Sequence, residues 1–247
     1  MSIALIDVRK PTYIQAREAF LKTAENRGVK VTSYVLTGVR GKYGEELAID
    51  VVYIGPTEPV RLIGVSSGVH GIEAYAGSLI QEHTLKEHFD GLSLPKDIGL
   101  LFIHIINPFG ASWLRRVGPD NEDLNRNFLS HPEDHTKNPL YDELCDVFNP
   151  ARIDISEIQS LKIPLKYARK YGKDLQEAFT RGQYKYSQGV QFGGFQESPL
   201  NVLFRRIIRE QVSAGIQAVG WLDIHTGLGS YGQTSIIVES LPEGSEY

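Results

Sequence analysis

Residues Ile98 to Ile106 read Ile-Gly-Leu-Leu-Phe-Ile-His-Ile-Ile, an apolar run without alternation. A strand with one wet face alternates apolar and polar residues, whereas a continuous run belongs to a strand packed on both faces. Such a strand needs helices above and below it, and the rest of the chain supplies them. Pro11–Arg27 reads as a helix, with Ala16, Ala19, Phe20 and Ala24 on one face and Gly28 as its stop. Ala74–His88, Leu140–Phe148, Leu165–Thr180 and Pro199–Ala214 read as further helices. Val31–Leu36, Leu47–Ile54 and Leu62–Ser67 read as strands, Ala218–Ile224 as another buried strand, and Ser235–Val238 as a short last one. Strands alternating with helices over long connections predict an α/β fold, a mixed and mostly parallel twisted sheet with helices on both faces. With 247 residues, no internal repeat and no clear linker, residues 1–247 are expected to form a single domain.

Charge and composition remove several classes of function. A formal net charge of −4, without a Lys/Arg run interleaved with aromatics, argues against nucleic acid as a partner. Cys145 is the only cysteine, which excludes an internal disulfide framework and a cysteine-based zinc site; it reads as a small residue on the Leu140–Phe148 helix. No stretch approaches the roughly 18 apolar residues of a membrane span, and the first residues lack the apolar region of a signal peptide. A cytoplasmic protein without membrane partners is expected.

In open α/β sheets ligands bind beyond the carboxyl ends of the strands. His70, the irregular Asn107–Leu129 loop and His225 each follow a strand directly, so one edge of the sheet collects all three. His70 and Glu73 stand three residues apart where a strand gives way to a helix, and an imidazole and a carboxylate so placed can close on one metal ion. Zinc takes such ligands, and a catalytic zinc uses three and keeps one position for water. His225, within Trp221–Gly229, is the third candidate. Taken alone, Glu73 could equally be a carboxylate favoured by a helix dipole. Of the other histidines, His104 sits inside an apolar strand and reads as a core or supporting imidazole. His83 and His88 read as helix-surface residues, and His131 and His135 in a polar loop stay unassigned.

The Asn107 loop carries Asn107-Pro108-Phe109-Gly110, Arg115-Arg116 and Asp123-Leu124-Asn125-Arg126-Asn127-Phe128. Guanidinium groups near a cationic metal cost Coulomb energy unless an anion is expected, and arginine presents a planar fork suited to carboxylates. One arginine could stabilise a developing oxyanion, and another, paired with an asparagine amide, could hold a substrate carboxylate. Asp123 reads as a structural partner of a nearby arginine or backbone amide. The Gly182–Gln196 loop, with Tyr184, Tyr186, Phe192 and Phe195, could line the pocket, cover it as a lid, or pack as a surface loop.

Together, His-x-x-Glu after a strand, Asn-Pro-x-Gly, an arginine, Asp-Leu-Asn-Arg-Asn-Phe and a distant strand-end histidine resemble the zinc carboxypeptidase family, peptidase family M14. The chain is similar to the branch carrying a DUF2817 domain, and its short Asn107-to-Asn125 spacing is similar to the aspartoacylase and succinylglutamate desuccinylase branch. The resemblance implies one zinc ion per chain on His70, Glu73 and His225. It gives Arg116, or Arg115 with a one-residue slip, the role of polarising the scissile carbonyl. It also implies that Asn125 and Arg126 grip the terminal carboxylate of a small peptide or acyl-amino acid. The implied activity is metallopeptidase or deacylase hydrolysis of an amide bond by metal-activated water. The family's general-base glutamate lies on a strand well downstream of the third ligand. Here Glu239 closes the strand read directly after that ligand, so the chain is expected to be a C-terminally shortened form or one whose base comes from elsewhere. The alternative is a metal- or carboxylate-binding module without turnover.

Overall fold

The computed structural model of the chain describes residues 12–87, 94–152, 162–227 and 229–237. Five strands form one open mixed sheet: β1 (Val31–Val35), β2 (Ala48–Ile54), β3 (Arg61–Ser67), β4 (Ile98–His104) and β5 (Ala218–Ile224), in the order β1-β2-β4-β3-β5. β1 with β2 and β2 with β4 pair antiparallel, while β4 with β3 and β3 with β5 pair parallel. The parallel half is where candidate ligands follow the strands.

The uninterrupted apolar run of β4 has the cause expected of it. Leu100 and Phe102 join a cluster with Phe20, Ala24, Val52 and Leu85. Leu101 and Ile103, pointing the other way, join a second cluster with Ile49, Val51, Leu62, Leu200 and Ile207. Phe20 and Ala24 come from α1 (Tyr13–Asn26) and Leu85 from α2 (Ala74–Glu87), whereas Leu200 and Ile207 come from α8 (Pro199–Gln211). The sheet therefore has helices on both faces. Each fully buried side chain of this size adds about 1.5–3 kcal/mol of apolar transfer free energy. The Thr12 hydroxyl accepts the Gln15 amide to start α1, and Gly28, at φ +64°, ends its last turn as expected.

Several segments differ from the sequence-based expectation. The Asn107–Leu129 stretch is not wholly irregular: α3 (Pro108–Trp113) begins with the Asn107 side chain accepting the Gly110 amide and Pro108 in the first turn. Leu140–Phe148 is two short helices, α4 (Pro139–Glu143) and α5 (Cys145–Phe148), separated at Leu144. Leu165–Thr180 is likewise divided into α6 (Lys162–Tyr171) and α7 (Lys173–Thr180), because Gly172 has φ +56°. β5 was expected to be buried, yet Val219 and Leu222 are 53% and 52% exposed. Their apolar character is real, but among the described residues β5 has a neighbour on one edge only. Residues 235–237 form no strand, and Val238 and His88 lie outside the described residues. No helix among the described residues is long and apolar enough to cross a membrane.

Candidate metal centre

Three backbone exits converge at the carboxyl ends of β3, β4 and β5. After β3, Gly68 turns the chain at φ +70°, His70 is extended, and Gly71–Glu73 forms a single 3₁₀ turn. That turn brings His70 Nδ1 to 2.9 Å from Glu73 Oε1. β4 is followed by Ile105 at φ +56°, after which the amides of Ile106 and Asn107 bond the carbonyls of Ser67 and Gly68. The amides of Gly71 and Ile72 in turn bond the carbonyls of Arg116 and Arg115 at 3.1 and 3.0 Å. A Cβ at Gly71 would fall inside the Gly110 backbone, so glycine is required for this close approach.

β5 delivers the third group. His225 Nδ1 lies 3.2 Å from Glu73 Oε2, and the Thr226 amide donates to the same oxygen at 2.9 Å. One ligating atom from each of His70, Glu73 and His225 falls within 4.8 Å of the others, a group that could hold a metal ion. His70 is buried, Glu73 half-buried and His225 at the surface, so the group opens to solvent on one side.

Both imidazoles are held from behind. His70 Nε2 is 3.2 Å from Asp123 Oδ1, and His225 Nε2 is 2.7 Å from Asp223 Oδ2. Nε2 of each ring thus faces an aspartate carboxylate, and Nδ1 of each ring faces Glu73. Carboxylates in that position orient metal-binding histidines and raise their basicity, and the donor set of two imidazoles and one carboxylate suits zinc. Asp123 is fully buried, and it also accepts Arg116 Nε at 3.0 Å and the Asn125 amide at 3.0 Å. Its expected partnership with an arginine and a backbone amide is present; the bond to His70 was missed.

Charge is concentrated accordingly. Burial opposes the charge on Glu73, but hydrogen bonds from His225, His70 and the Thr226 amide outweigh it and hold the carboxyl well below its usual range. Burial likewise opposes the Asp123 charge, and His70 and Arg116 overcome it, lowering that group to about 2. The bond to Asp223, then that to Glu73, raises His225 to about 10. Glu73 and Asp123 are therefore ionised at neutral pH.

Of the two adjacent arginines, Arg116 reaches the centre: its Nη1 is 3.3 Å from Glu73 Oε1. Arg115 bonds Asn121 instead. The Asn125 side chain is exposed, and Arg126 donates through Nε to the Thr180 carbonyl and through Nη1 to the Asn125 carbonyl. Among the described residues Arg126 forms no ion pair with a carboxylate; Asp123 acts on it only at longer range. Tyr184, from the Gly182–Gln196 loop, donates its hydroxyl to the Arg126 carbonyl at 2.7 Å, which sets that loop beside the arginine.

Two further residues stand apart from the centre or were overlooked. His104 is a core residue: it stacks on Phe20, bonds Ser78, and burial pushes it down to about 4. Asn127 was not singled out, yet it is fully buried and ties this loop to Gly193, Gln196, Ser198 and Asn201. Its place beside Arg126 in Asp-Leu-Asn-Arg-Asn-Phe was the available signal.

The profile of a family described as "Protein of unknown function (DUF2817)" matches residues 10–247. The chain belongs to the DUF2817 family. No curated protein matches the sequence. Among solved structures, carboxypeptidase A from Helicoverpa armigera aligns at TM-score 0.52 and 16% identity, covering 88% of the DUF2817 chain and 46% of that enzyme. Bovine thrombin-activatable fibrinolysis inhibitor, solved with tick carboxypeptidase inhibitor, aligns at TM-score 0.50 and 12% identity over 88% of this chain and 60% of its own. At such identities the likeness is one of fold, and the DUF2817 chain has a carboxypeptidase-like α/β fold. It spans about half the length of these neighbours.

Proposed function

We propose that this chain is a zinc-dependent hydrolase of peptide or acyl-amino-acid amide bonds, with residues 1–247 forming one hydrolase domain and one zinc held by His70, Glu73 and His225. The observation that carries the reading is the approach of the three ligating groups to within 4.8 Å at the carboxyl end of a parallel sheet. The carboxypeptidase-like fold supports it.

A zinc ion bound there would polarise a substrate carbonyl and make its water acidic enough to attack at neutral pH. The chain's own residues do the rest. Asp123 and Asp223 hold the two imidazoles with Nδ1 turned inward. Arg116, fixed through Nε to Asp123, keeps Nη1 beside Glu73, where it can meet negative charge developing on a carbonyl oxygen. Asn125 and Arg126 are assigned to the free carboxylate of the substrate, with the Tyr184 loop as one wall.

A second reading, a metal- or carboxylate-binding module without turnover, also has an observation behind it. Glu73, Asp123 and Asp223, the three carboxylates set against these imidazoles, are each already bonded to one. None is left to take a proton from water as a general base.

Metal analysis of protein purified without added zinc tests the site: near one zinc per chain is expected, lost in His70→Ala. A wild-type protein without metal would sink the hydrolase reading. Assays on short peptides and acyl-amino acids then separate them, since turnover abolished by Glu73→Ala is incompatible with a binding module.

A further inference from the structure

Asp223 sits in strand β5, and aspartate is ordinarily depleted in strands, but the residues around it are arranged to hold its carboxylate. Trp221, Asp223 and His225 alternate along β5 and its exit, so their side chains share one face. On the adjacent strand Ser66 pairs with Asp223 and Gly64 with Trp221. The Trp221 indole lies over Gly64, in space that any Cβ there would occupy. Lying so, it donates Nε1–H to Ser66 Oγ at 2.9 Å. Ser66 in turn donates its hydroxyl to Asp223 Oδ1 at 2.6 Å, and Asp223 Oδ2 faces His225 Nε2 at 2.7 Å.

The direction of every bond in this row is settled by chemistry. An indole N–H can only donate, so Ser66 accepts from Trp221 and its own proton is released to Asp223. The Asp223 carboxylate can only accept, so His225 must donate from Nε2. The row therefore runs one way, from Trp221 through Ser66 and Asp223 to His225, and leaves Nδ1 of His225 as the nitrogen facing Glu73.

We propose that Asp223, held in place by Ser66 and Trp221, is the positioning residue of His225: it selects the nitrogen that His225 offers to a metal ion and strengthens it as a ligand. The proposal rests on the metal-binding reading of the triad. It assigns no contact with substrate to Asp223. The same service is done for His70 by Asp123, whose second oxygen is held by Arg116, so each imidazole has a carboxylate that is itself anchored. Loss of such supporting carboxylates costs about 10- to 100-fold in metal affinity.

The test is a zinc titration of metal-free protein, wild type against Asp223→Ala, Asp223→Asn and Ser66→Ala, together with nitrogen-15 NMR of the His225 ring. Asp223→Ala is expected to weaken zinc binding by about 10- to 100-fold. Asp223→Asn, which still accepts a hydrogen bond, should recover part of the loss, and Ser66→Ala should lose less than Asp223→Ala. An Nε2–H signal with a hydrogen-bonded shift is expected for His225 in the wild type, and that shift should be lost in Asp223→Ala. A merely structural aspartate would not produce a series graded by acceptor strength. Zinc affinity within twofold of wild type in Asp223→Ala, or an unchanged Nε2–H signal, would overturn the proposal. A wild type that binds no zinc would instead remove the reading of the triad, and the Nε2–H signal of the metal-free chain would then decide whether Asp223 orients the ring.

Discussion

His70 and His225 meet Glu73 with the same ring nitrogen: Nδ1 of His70 lies 2.9 Å from Oε1, and Nδ1 of His225 lies 3.2 Å from Oε2. The two rings sit 5.1 Å apart at 67°. They reach this arrangement from adjacent parallel strands, one after the turn at Gly68 and the other directly from the strand end. Nothing local relates them, so the likeness of their poses reflects the carboxylate behind each.

Asp123→Asn tests that support at His70. The replacement keeps the shape but removes the charge facing Arg116 and His70 in a fully buried position. Charge-assisted hydrogen bonds of this kind contribute about 1.5–3 kcal/mol, and a loss in that range is expected in urea denaturation. An unchanged midpoint would mean that water replaces the bonds.

Gly71→Ala is expected to separate folding from metal binding. The added methyl would meet the Gly110 backbone, and relieving it must move the turn that carries His70 and Glu73. Overpacking costs about 1–3 kcal/mol, which a domain of ordinary stability survives. Circular dichroism should stay close to wild type while zinc binding falls at least tenfold. Full zinc affinity in the variant would show that the turn can yield without moving its ligands.

Arg126→Ala should discriminate between substrates. If Arg126 holds the free carboxylate, its loss removes a charge-assisted contact, about 10- to 100-fold in kcat/KM for acids. The corresponding amides should change much less. Equal losses for both would point to the bond with Thr180, and hence to loop packing, as its main role.

His104 gives the pH dependence a specific shape. Burial lowers it from 6.5 to about 4, so between those values the unfolded chain binds a proton that the folded chain does not. Stability contributed by this group is complete above the unfolded value and is lost as pH falls toward the folded one, by at most about 3 kcal/mol. Asp50 and Arg17 are the charged groups acting on it. Urea midpoints at pH 7 and 4.5 should therefore fall further in wild type than in His104→Gln, and equal falls would remove His104 as a cause.

Much of this was legible in the sequence because it depends on period and position. The unbroken run of β4 announced packing on both faces, and residues just past strand ends were predicted to collect at one edge. What was not legible depends on neighbours far away in the chain. Asp123 lies 53 residues from His70, and no spacing rule joins them. Asp223 could have been found, since it is two positions before His225 on a strand and so shares its face. The break at Gly172 had its signal in the glycine, but an amphipathic pattern that continued through it masked the stop. β5 carries the composition of an interior strand, whereas its exposure is decided by what stands next to it.

The parallel pairing of β3 with β5 gives the candidate centre only one permitted setting. Ser66 opposes Asp223 and Ser67 opposes Ile224; a slip of one residue would turn His225 to the opposite side of the sheet and Asp223 away from Ser66. Competence for metal is therefore all-or-none with respect to strand alignment. On the proposed reading of the triad, a misaligned chain would keep its helices and much of its sheet and yet be blind to zinc, so the metal-binding fraction of a refolded sample would count the molecules whose register is right.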